Sequence, residues 1–525
     1  MKRMVLTLFI VLIALPLFGC SSKKKDLMAL DSDAVFEEEN IPYEINQITF
    51  SKSFQSMEPT VEIITNNNKL KLLASLGLAE YSGVNVNKIV KKGGEINIHV
   101  SGVSDNKASS LSVPQVSLEI KKSKLKDIKD LKFNIVYDDF TPVDVKISSN
   151  DVLNKIHSYL KVSTKGSPSI NLIKSDNSII WDISYNTIFD KADSNNSLVN
   201  LSAQVDANTG EIIKSEKSFI SSPLDNGHIL EFKENNYLLY KKSILDEENN
   251  NSYEQLWIYN VQKNEANMIY SSDSKILSAQ FSPNLDFISL IESNDNCSEL
   301  YIISRDDTKA YKVAFLENFN PSSMAWKNNT NLFIIENNGE ESRVNDYNVE
   351  SNQMNLVKQL NKNVEGLNII DDKFLIFEKG KDEFNNKISV TTDWKKFVFI
   401  DDGFSPKFIN NKTIAYLQKN EKKDINLLLI YDIEKEKITT KLNKNILNYE
   451  IFPNGKIMYV IKDSSNNYTL GSYSIENNST ENIANVINDK IFYDENSNII
   501  YLNTILPFEN NKSEVIYSID LSKLN

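Results

Sequence analysis

Residues 281–291 read FSPNLDFISLI, and this stretch shows how the C-terminal part of the chain is built. The end of one apolar run meets a turn of Pro, Asn and Asp, and a second apolar run follows at once. Two β-rich runs around a polar turn predict a β-hairpin. Six more segments share the pattern: LEFKENNYLLYKKS, MAWKNNTNLFIIEN, LNIIDDKFLIFEKG, PKFINNKTIAYLQK, YEIFPNGKIMYVIK and KIFYDENSNIIYLN.

A third β-rich run follows most of these hairpins and carries a tyrosine at a regular spacing. These markers are Tyr259, Tyr301, Tyr347, Tyr431, Tyr473 and Tyr517. Their intervals are 42, 46, 84, 42 and 44 residues, so one repeat without a tyrosine is expected near residue 389. A period of about 40–45 residues with four strands in each repeat is typical of a β-propeller blade. We therefore predict a mainly β chain with a β-propeller over 218–525, in which seven blades are favoured and six or eight are alternatives. A β-sandwich, or two of them, is the other architecture that such strands allow.

The repeats resemble the propeller of TolB and related extracytoplasmic proteins, whose blades carry an aromatic-Ser-Pro-Asp-Gly-like turn. FSPNLDFISLI and the segment FPNGKIMYVI at residues 452–461 are the nearest matches, and the Gly-His and Trp-Asp signatures of WD40 repeats are absent. The resemblance implies an extracytoplasmic protein whose loops, arranged around a central channel, contact protein or peptide partners.

The end of the last repeat, VIYSIDLSKLN, leaves too little chain for a fourth strand. An open propeller would leave the edge of a sheet unpaired. We therefore expect a segment within Ser218–Phe232 to complete the final blade.

The N-terminal segment MKRMVLTLFIVLIALPLFGC has the features of a secretory signal. Lys2 and Arg3 precede an apolar run over 5–18, which is shorter than the about 20 residues that a bilayer-spanning helix needs. The segment ends in Leu17-Phe18-Gly19-Cys20, which resembles the lipobox of bacterial lipoproteins. The resemblance implies a signal peptide over 1–19 and a Cys20 that carries acyl chains such as palmitate as the mature N-terminus. An uncleaved anchor helix is the alternative.

Residues 20–40 are polar and predict a tether to the cell membrane. Abundant Asn, Lys and Ile suggest an AT-rich genome, which favours a Gram-positive organism. The net charge is -13, and no basic block follows the tether, so nucleic acid is not an expected partner. Cys297 is the only cysteine besides Cys20, so no disulfide within the chain is expected after lipidation.

Residues 148–217 are expected to form a separate domain. The segment SNDVLNKIHSYLKV has one apolar helical face, which Ser149 or Asn150 could cap, and β-rich runs follow it. A helix, a strand with Trp-x-Ile and a hairpin VDANTGEII resemble the PepSY domain. The match rests on Trp181, Asp206, Ala207, Thr209, Gly210 and Glu211. The resemblance implies a regulator or inhibitor of an envelope peptidase or sensor, and a purely structural domain is the alternative.

Residues 41–147 predict an α+β domain of no recognised family. PTVEIITN, EINIHVSGV, VSLEIKK and LKFNIVYD have the pattern of strands. KLKLLASLGLAEY, at residues 69–81, is interpreted as a helix.

Sequence motifs for catalysis, cofactors and metals are scarce. His99, His157 and His228 have no metal-ligand spacing and are expected to be surface or structural residues. There is no Gly-x-Ser-x-Gly elbow and no phosphate-binding loop. Acidic pairs such as Asp371-Asp372 occur in turns without a calcium-binding pattern, and Cys297 has no basic or histidine neighbour. We therefore expect no catalytic, metal-binding or cofactor-binding residue, and a protein that is not an enzyme.

The sequence as a whole predicts a lipid-anchored extracytoplasmic binding or scaffold protein. Its propeller would be presented to envelope proteins or peptides at the cell surface, and Cys20 would attach it to the membrane. A PepSY-type regulator is the first alternative. A hydrolase or lyase that uses carboxylates on the propeller face is the second.

Overall fold

The computed structural model describes residues 37–524, except for 55, 66–68, 104–110, 126–130, 176–177, 234–236, 247–250, 295–296, 307, 317–319, 453–454, 465 and 509–513. The expected signal peptide, Cys20 and most of the expected tether lie outside the described residues. The described chain divides into two compact units. The first lies within 37–50, 58–107 and 114–142, and the second within 51–57, 108–113 and 143–524. None of the helices in these ranges has the length and apolar composition that crossing a bilayer requires.

The first unit contains two four-stranded sheets, with strand orders β1-β5-β6-β8 and β2-β7-β4-β3. The strands are β1 (Glu39–Asn40), β2 (Tyr43–Ser51), β3 (Thr60–Thr65), β4 (Lys69–Ser75), β5 (Gly83–Lys92), β6 (Glu95–Val103), β7 (Val113–Lys121) and β8 (Lys132–Tyr137). A 3₁₀ turn over Lys122–Lys124 follows β7, and β6 and β8 run parallel. Apolar side chains of both sheets form one core, which includes Leu72, Ile98 and Leu118.

The helix expected over residues 69–81 is wrong, because this segment begins with strand β4 and contains no helix. Leu70, Leu72 and Ala74 are buried, whereas Lys69 and Lys71 are exposed. This alternation has the period of two that a strand with one buried face requires. The consecutive apolar residues from Leu72 onward obscured the alternation in the sequence.

A helix and an antiparallel sheet open the second unit and are called here the helix-sheet part. Its elements are α1 (Ser149–Tyr159), β9 (Val162–Ser163), β10 (Ser169–Ser175), β11 (Ser178–Asp190), β12 (Leu198–Asp206) and β13 (Ile212–Ser221). The strand order is β10-β11-β12-β13, with β9 paired to β11. Ser148, one residue before the expected cap, caps α1 by accepting the Asp151 N–H at 3.2 Å.

The residues that carried the PepSY resemblance have structural roles in the helix-sheet part. Trp181 is fully buried, and its Nε1 donates to the Ile147 carbonyl at 3.0 Å. The Asp206 carboxylate accepts the Thr209 N–H at 2.7 Å and the Asn208 N–H at 2.9 Å, which holds the pKa of Asp206 below its usual value. Gly210 follows with φ +70°, which a residue with a Cβ adopts only at a cost. These contacts explain the local sequence of the hairpin.

The remainder of the second unit is a β-propeller, as the repeat predicts. Its strands are β14 (Pro223–Asn226), β15 (His228–Lys233), β16 (Tyr237–Asp246), β17 (Asn251–Asn260), β18 (Glu265–Ser272), β19 (Lys275–Phe281), β20 (Phe287–Asn294), β21 (Cys297–Ser304), β22 (Ala310–Leu316), β23 (Met324–Trp326), β24 (Asn331–Asn338), β25 (Glu341–Asn348), β26 (Gln353–Leu360), β27 (Val364–Ile370), β28 (Lys373–Glu378), β29 (Asn386–Thr391), β30 (Val398–Asn410), β31 (Thr413–Asn420), β32 (Ile425–Asp432), β33 (Lys437–Leu442), β34 (Ile446–Ile451), β35 (Lys456–Lys462), β36 (Tyr468–Ser474), β37 (Ser479–Val486), β38 (Ile491–Asp494), β39 (Ile499–Ile505) and β40 (Glu514–Asp520). Among the described residues of the propeller, 3₁₀ turns lie at Pro321–Ser323 and Leu521–Lys523.

These strands form consecutive antiparallel sheets. Four sheets contain four strands in chain order, namely β15–β18, β19–β22, β23–β26 and β34–β37, and a fifth has the order β14-β40-β39-β38. Strands β27–β33 form one sheet of seven. In that sheet β30 pairs with β29 up to Gly403 and with β31 from Phe404 onward, so each half of β30 belongs to its own four strands. The number of blades stays a prediction.

Each marker tyrosine lies on the third strand of its sheet, and the segment expected near residue 389 is the third strand β29. The turn after the third strand explains why a tyrosine recurs at some of these positions. The Tyr347 hydroxyl donates to Asn352 Oδ1 at 2.8 Å, and Tyr473 donates to Asn478 Oδ1 at 3.0 Å. Both asparagines have positive φ, +52° and +50°, a conformation that Asn tolerates better than most residues. Tyr259 makes the same bond to Asn264, so at these three markers a tyrosine-to-asparagine bond spans the turn between the third and fourth strands. Tyr301 and Tyr517 donate elsewhere, to Glu299 and to the Asn196 carbonyl.

The predicted closure is confirmed, because β14 pairs with β40 and becomes the outer strand of the last sheet. Pro223, Asp225 and Asn226 face Tyr517, Ile516 and Val515, respectively. The Gly227 N–H also donates to the Glu514 carbonyl at 2.7 Å. The start of the propeller thus covers an edge that would otherwise be unpaired.

A recurring Asp-x-Gly segment joins the outer strand of one sheet to the first strand of the next. The Tyr240 hydroxyl donates to Asp225 Oδ2 at 2.6 Å, and the Tyr416 hydroxyl donates to Asp401 Oδ2 at 2.6 Å. In both copies the glycine two residues after the aspartate packs against the tyrosine ring and against the backbone of the following residue. The same segment therefore lies between two strands, β14 and β15, in one copy and in the middle of one continuous strand, β30, in the other.

The helix-sheet part and the last propeller sheets share one hydrophobic core. Phe189, Leu198 and Ile220 belong to the same buried cluster as Met458, Val460, Leu470, Ile500, Leu502 and Tyr517. The Ser221 hydroxyl donates to the Ser518 carbonyl at 2.6 Å, and only residue 222 separates β13 from the closing strand β14. The helix-sheet part is therefore continuous with the propeller in both chain and core.

Replacing Gly227 with alanine tests the closure. Its φ is +145°, and an added Cβ would lie 2.6 Å from the Lys241 carbonyl oxygen and 2.9 Å from the Tyr240 ring. We expect Gly227→Ala to lower the free energy of unfolding by about 3 kcal/mol, since a clash with backbone adds to the conformational cost. Urea denaturation measures the loss.

Gly339→Ala is the matched control, because Gly339 has φ +69° but nothing lies within 4 Å of the added Cβ. Its expected loss is about 1 kcal/mol, the cost of the left-handed conformation alone. Equal losses for the two variants would contradict the close packing at the ring closure.

Candidate functional site

A wide cavity on the propeller lies where its first and last sheets meet and is called here the face pocket. Its volume is about 1020 Å³, which is the size of a pocket for a small ligand or a peptide segment. The lining comes from the end of β14, the second half of β16 and the starts of β15, β17, β19 and β40, which meet at one edge of three neighbouring sheets. Its ionisable residues are Asp225, His228, Lys241, Lys242, Glu254, Lys275 and Glu514.

Lys241 and Glu254 form a buried ion pair that also holds the next sheet. Lys241 Nζ lies 3.1 and 3.0 Å from the two carboxylate oxygens of Glu254, and the side chains are only 15% and 14% exposed. Lys241 donates to the Ile276 carbonyl at 2.7 Å, and Glu254 accepts the Ile276 N–H at 2.6 Å. The pair therefore ties β16 and β17 to the start of β19.

Lys242 and Asp225 form a second ion pair beside the closing strand. Lys242 Nζ lies 2.9 and 2.8 Å from the Asp225 carboxylate oxygens, and 4.0 Å from the centre of the Trp257 ring. Tyr240 donates to the same carboxylate. Burial and the adjacent Asp225 raise the pKa of Tyr240, so its hydroxyl keeps the proton that it donates. The aspartate of β14 is thus held by two side chains of β16.

His228 and Glu514 meet although they are 286 residues apart in the chain. His228 Nδ1 lies 2.5 Å from Glu514 Oε2, and the Asn503 side-chain amide donates to the same oxygen at 2.8 Å. His228 is the first residue of β15, at the propeller entrance where the sequence predicts a surface or structural histidine. This third contact joins β15, the strand after the closing strand, to β40 near the end of the chain.

An apolar wall and one lysine complete the face pocket. The wall consists of Leu230, Ile244, Leu245, Ile276 and Leu277. Leu245 is 63% exposed, although Leu is a residue that proteins usually bury. Lys275 is exposed, and no carboxylate of the described chain forms an ion pair with it. The pocket therefore offers an apolar surface, balanced charges and one lysine that a bound carboxylate could approach.

Buried carboxyl groups elsewhere in the propeller do not converge on this pocket. Burial raises the pKa of Glu231, Glu292 and Glu336, but these residues lie on β15, β20 and β24, in three different sheets. Glu231 accepts the Phe281 N–H at 2.6 Å and pairs with Lys233 at 3.2 Å. Within the described ranges, no three His, Cys, Asp or Glu side chains are grouped in a way that could hold a metal ion.

The other residues singled out from the sequence lie apart from the face pocket. His99 pairs with Asp138 at 2.8 Å in the first unit, and His157 Nε2 bonds to the Tyr185 hydroxyl at 2.7 Å in the helix-sheet part. Cys297 begins β21 and is partly exposed. Cys20, the one predicted site residue, lies outside the described part of the chain.

Sequence reasoning missed the ion pairs of the face pocket. The usable signal was the recurrence of Asp-x-Gly at residues 225–227 and 401–403, each followed by a tyrosine 15 residues after the aspartate. That recurrence would have placed Asp225 against β16. It could not have paired His228 with Glu514, because their contact depends on how the ring closes.

No protein-family model matches the sequence, and a comparison with curated proteins likewise finds no match. The chain is similar to several solved structures. The β-propeller domain of the trilobed protease from Pyrococcus furiosus has 14% identity and a TM-score of 0.43, over 57% of this chain and 97% of that one. Oligogalacturonate lyase from Vibrio parahaemolyticus has 11% identity and a TM-score of 0.44, over 61% and 97%. TolB from Acinetobacter baumannii has 10% identity and a TM-score of 0.35, over 67% and 86%.

The expectation that the chain is not an enzyme is wrong, because enzymes are among these structures and the fold does not exclude enzymatic activity. The absence of familiar catalytic motifs led to that expectation. At 10–14% identity the similarity assigns no activity to this chain either.

Replacing Glu254 with glutamine tests the buried ion pair of the face pocket. The amide oxygen keeps an acceptor for the Ile276 N–H, but Lys241 loses the charge that balances it. We expect Glu254→Gln to lower the free energy of unfolding by about 3 kcal/mol, since a buried charge without a partner is costly. Urea denaturation measures the effect.

Glu434→Gln is the control, because its pair with Lys412 is 58% and 59% exposed. Exposed pairs contribute about 0–1 kcal/mol, so this variant should unfold close to the parent protein. If the two variants had the same free energy of unfolding, the buried pair would not stabilise the attachment of β19.

Proposed function

We propose that the chain is a lipid-anchored extracytoplasmic binding protein whose propeller holds a segment of a partner protein or peptide in the face pocket. The observation that supports this most is the combination of paired charges and an exposed apolar wall in a cavity of about 1020 Å³. Peptide segments carry apolar side chains, charged groups and backbone polar atoms within a few ångströms of one another.

The charge balance of the face pocket favours such a partner. Three carboxylates face three lysines, namely Asp225, Glu254 and Glu514 against Lys241, Lys242 and Lys275. A polyanion such as nucleic acid is bound by surfaces of one sign, which this pocket lacks. A peptide carboxylate could approach Lys275, while an apolar side chain covers Leu245 and Leu277.

The position of the protein is part of the proposal. The lipobox-like sequence ending in Cys20 would attach acyl chains, and stable anchoring needs two such hydrophobic signals. The polar residues between Cys20 and β1 would then separate the folded units from the membrane. The partner is accordingly proposed to be an envelope protein or peptide.

We propose a PepSY-type regulator as a second candidate, and the shared core bears on which part of the chain would carry that role. Phe189 and Ile220 of the helix-sheet part are buried against the last propeller sheets. Separating residues 148–217 from the propeller would expose these side chains. A regulatory role is therefore proposed for the whole second unit, with the helix-sheet part acting together with the propeller.

Photo-crosslinking on intact cells tests the proposed binding. A photoreactive residue at position 245, on the pocket wall, is expected to capture a discrete envelope protein or peptide. Position 351 is the matched control, because Ser351 is exposed in a turn between third and fourth strands, at the opposite ends of the strands. Mass spectrometry identifies the captured species. An identical capture pattern at both positions, or no capture at 245, would contradict the proposed pocket.

Metabolic labelling with a fatty-acid analogue tests the anchor separately. The parent protein is expected to incorporate the label and to be cleaved before Cys20. Cys20→Ala should abolish both, because it removes the thiol that accepts the lipid, whereas Cys297→Ala should leave both unchanged. Label in the Cys20→Ala variant would rule out this anchor without affecting the pocket.

A further inference from the structure

A second cavity lies between the helix-sheet part and the propeller sheet β34–β37, and is called here the junction cavity. Its volume is about 220 Å³. The helix-sheet part contributes residues 164–169 and 184–187 with Phe189, and the propeller contributes residues 466–468 and 485–487. It is formed by strands and loops other than those of the face pocket.

The lining of the junction cavity is polar and almost uncharged. Hydroxyl and amide side chains dominate it, Lys165 is its only ionisable residue besides tyrosines, and it contains no carboxylate. Lys165 donates to Thr504 Oγ1 at 3.1 Å. Within the described chain, several lining side chains make no hydrogen bond through their polar atoms: Ser169, Ser184, Asn186, Asn466 and Tyr468. These groups can both donate and accept, so they are available to a ligand.

A strained bulge in β11 builds one wall of the cavity. The register of β11 against β12 shifts between Tyr185 and Ile188, and Thr187 has φ +55°. A β-branched residue rarely adopts this conformation, which lowers its population by a factor on the order of five to 150. Thr187 is held by its N–H to Asn200 Oδ1 at 3.0 Å and by its hydroxyl to the Asn485 carbonyl at 3.1 Å. Bulges re-aim side chains, and this one exposes Asn186 at the cavity.

The opposite wall is also held in place across the two parts. Asn467 Oδ1 accepts the Ser167 N–H at 3.0 Å, and the Asn467 amide donates to Asp463 at 3.2 Å. A Cβ at Gly166 would clash with the Asn467 side chain, so glycine permits this approach. The cavity is therefore pre-formed, with its free polar groups on a rigid frame.

We infer that the junction cavity binds one ring of a neutral sugar. A sugar ring carries several hydroxyls that donate and accept, which matches the free hydroxyl and amide groups of the lining. Its C–H faces can pack on an aromatic ring such as Tyr468. A charged ligand would have only Lys165 to pair with, and an apolar ligand would leave the polar groups desolvated. The volume is below the about 300–1,000 Å³ of pockets for drug-sized ligands, so it suits a single ring.

Binding of free sugars to the full chain, purified in detergent, tests this inference. Glucose and N-acetylglucosamine are the neutral probes, and glucuronic acid is the charged comparison. Saturation-transfer NMR and titration calorimetry are expected to show saturable binding of at least one neutral sugar. The double variant Ser184→Ala/Asn186→Ala should weaken it about tenfold or more, because two hydrogen-bonding groups are lost.

The double variant should fold normally, since both side chains are exposed and make no hydrogen bond to the described chain. Its melting temperature checks this. Lys275→Ala, in the face pocket, is the matched control and should leave sugar binding unchanged. The inference would be overturned by no binding of either neutral sugar to the folded parent, by equal binding to the double variant, or by binding of glucuronic acid alone. None of these outcomes bears on capture of a partner at position 245.

Discussion

The pairing of β14 with β40 is the constraint on which the rest of the propeller depends. A ring of sheets leaves one edge unpaired unless the first part of the chain covers the last sheet. Here the covering strand directly precedes the first strand of the ring, so closure brings Asp225 beside Lys242 and His228 beside Glu514. The face pocket lies at this seam. It therefore exists only in the closed ring, and its charges are balanced by residues from both ends of the propeller.

The same seam explains why the helix-sheet part is more than an appended domain. Strand β13 ends at Ser221 and β14 begins at Pro223, so the closing strand is a direct extension of the helix-sheet part. The Phe189 ring lies 6.3 Å from the Tyr517 ring, on the strand that β14 covers. Burial of such apolar side chains is the dominant stabilising contribution in folding. Closure of the ring and packing of the helix-sheet part are thus parts of one interaction.

The two cavities of the second unit differ in chemistry because of how each is built. The face pocket lies where three sheets are tied together by buried ion pairs, such as Lys241 with Glu254, so charge is already present and balanced. The junction cavity lies between loops that approach through amides, hydroxyls and Gly166, and some of its polar side chains, such as Ser184 and Asn186, make no hydrogen bond in the described chain. One is therefore suited to a ligand of mixed charge, and the other to a neutral ligand.

Local patterns in the sequence determined most strands, the repeat and the turn at Asp206–Gly210, because each depends on neighbours along the chain. The need for closure near residues 218–232 followed from counting strands, since the last repeat lacked its fourth. The tyrosine spacing was readable because several markers bond within their own turn, as Tyr347 does with Asn352 and Tyr473 with Asn478. The interpretation failed at residues 69–81, where burial of one strand face overrode an apolar run that looked helical. Only the tertiary structure decided both cavities. The wall of the face pocket joins His228 and Glu514, which lie 286 positions apart and meet only because the ring closes. The junction cavity joins Ser167 to Asn467, 300 positions apart.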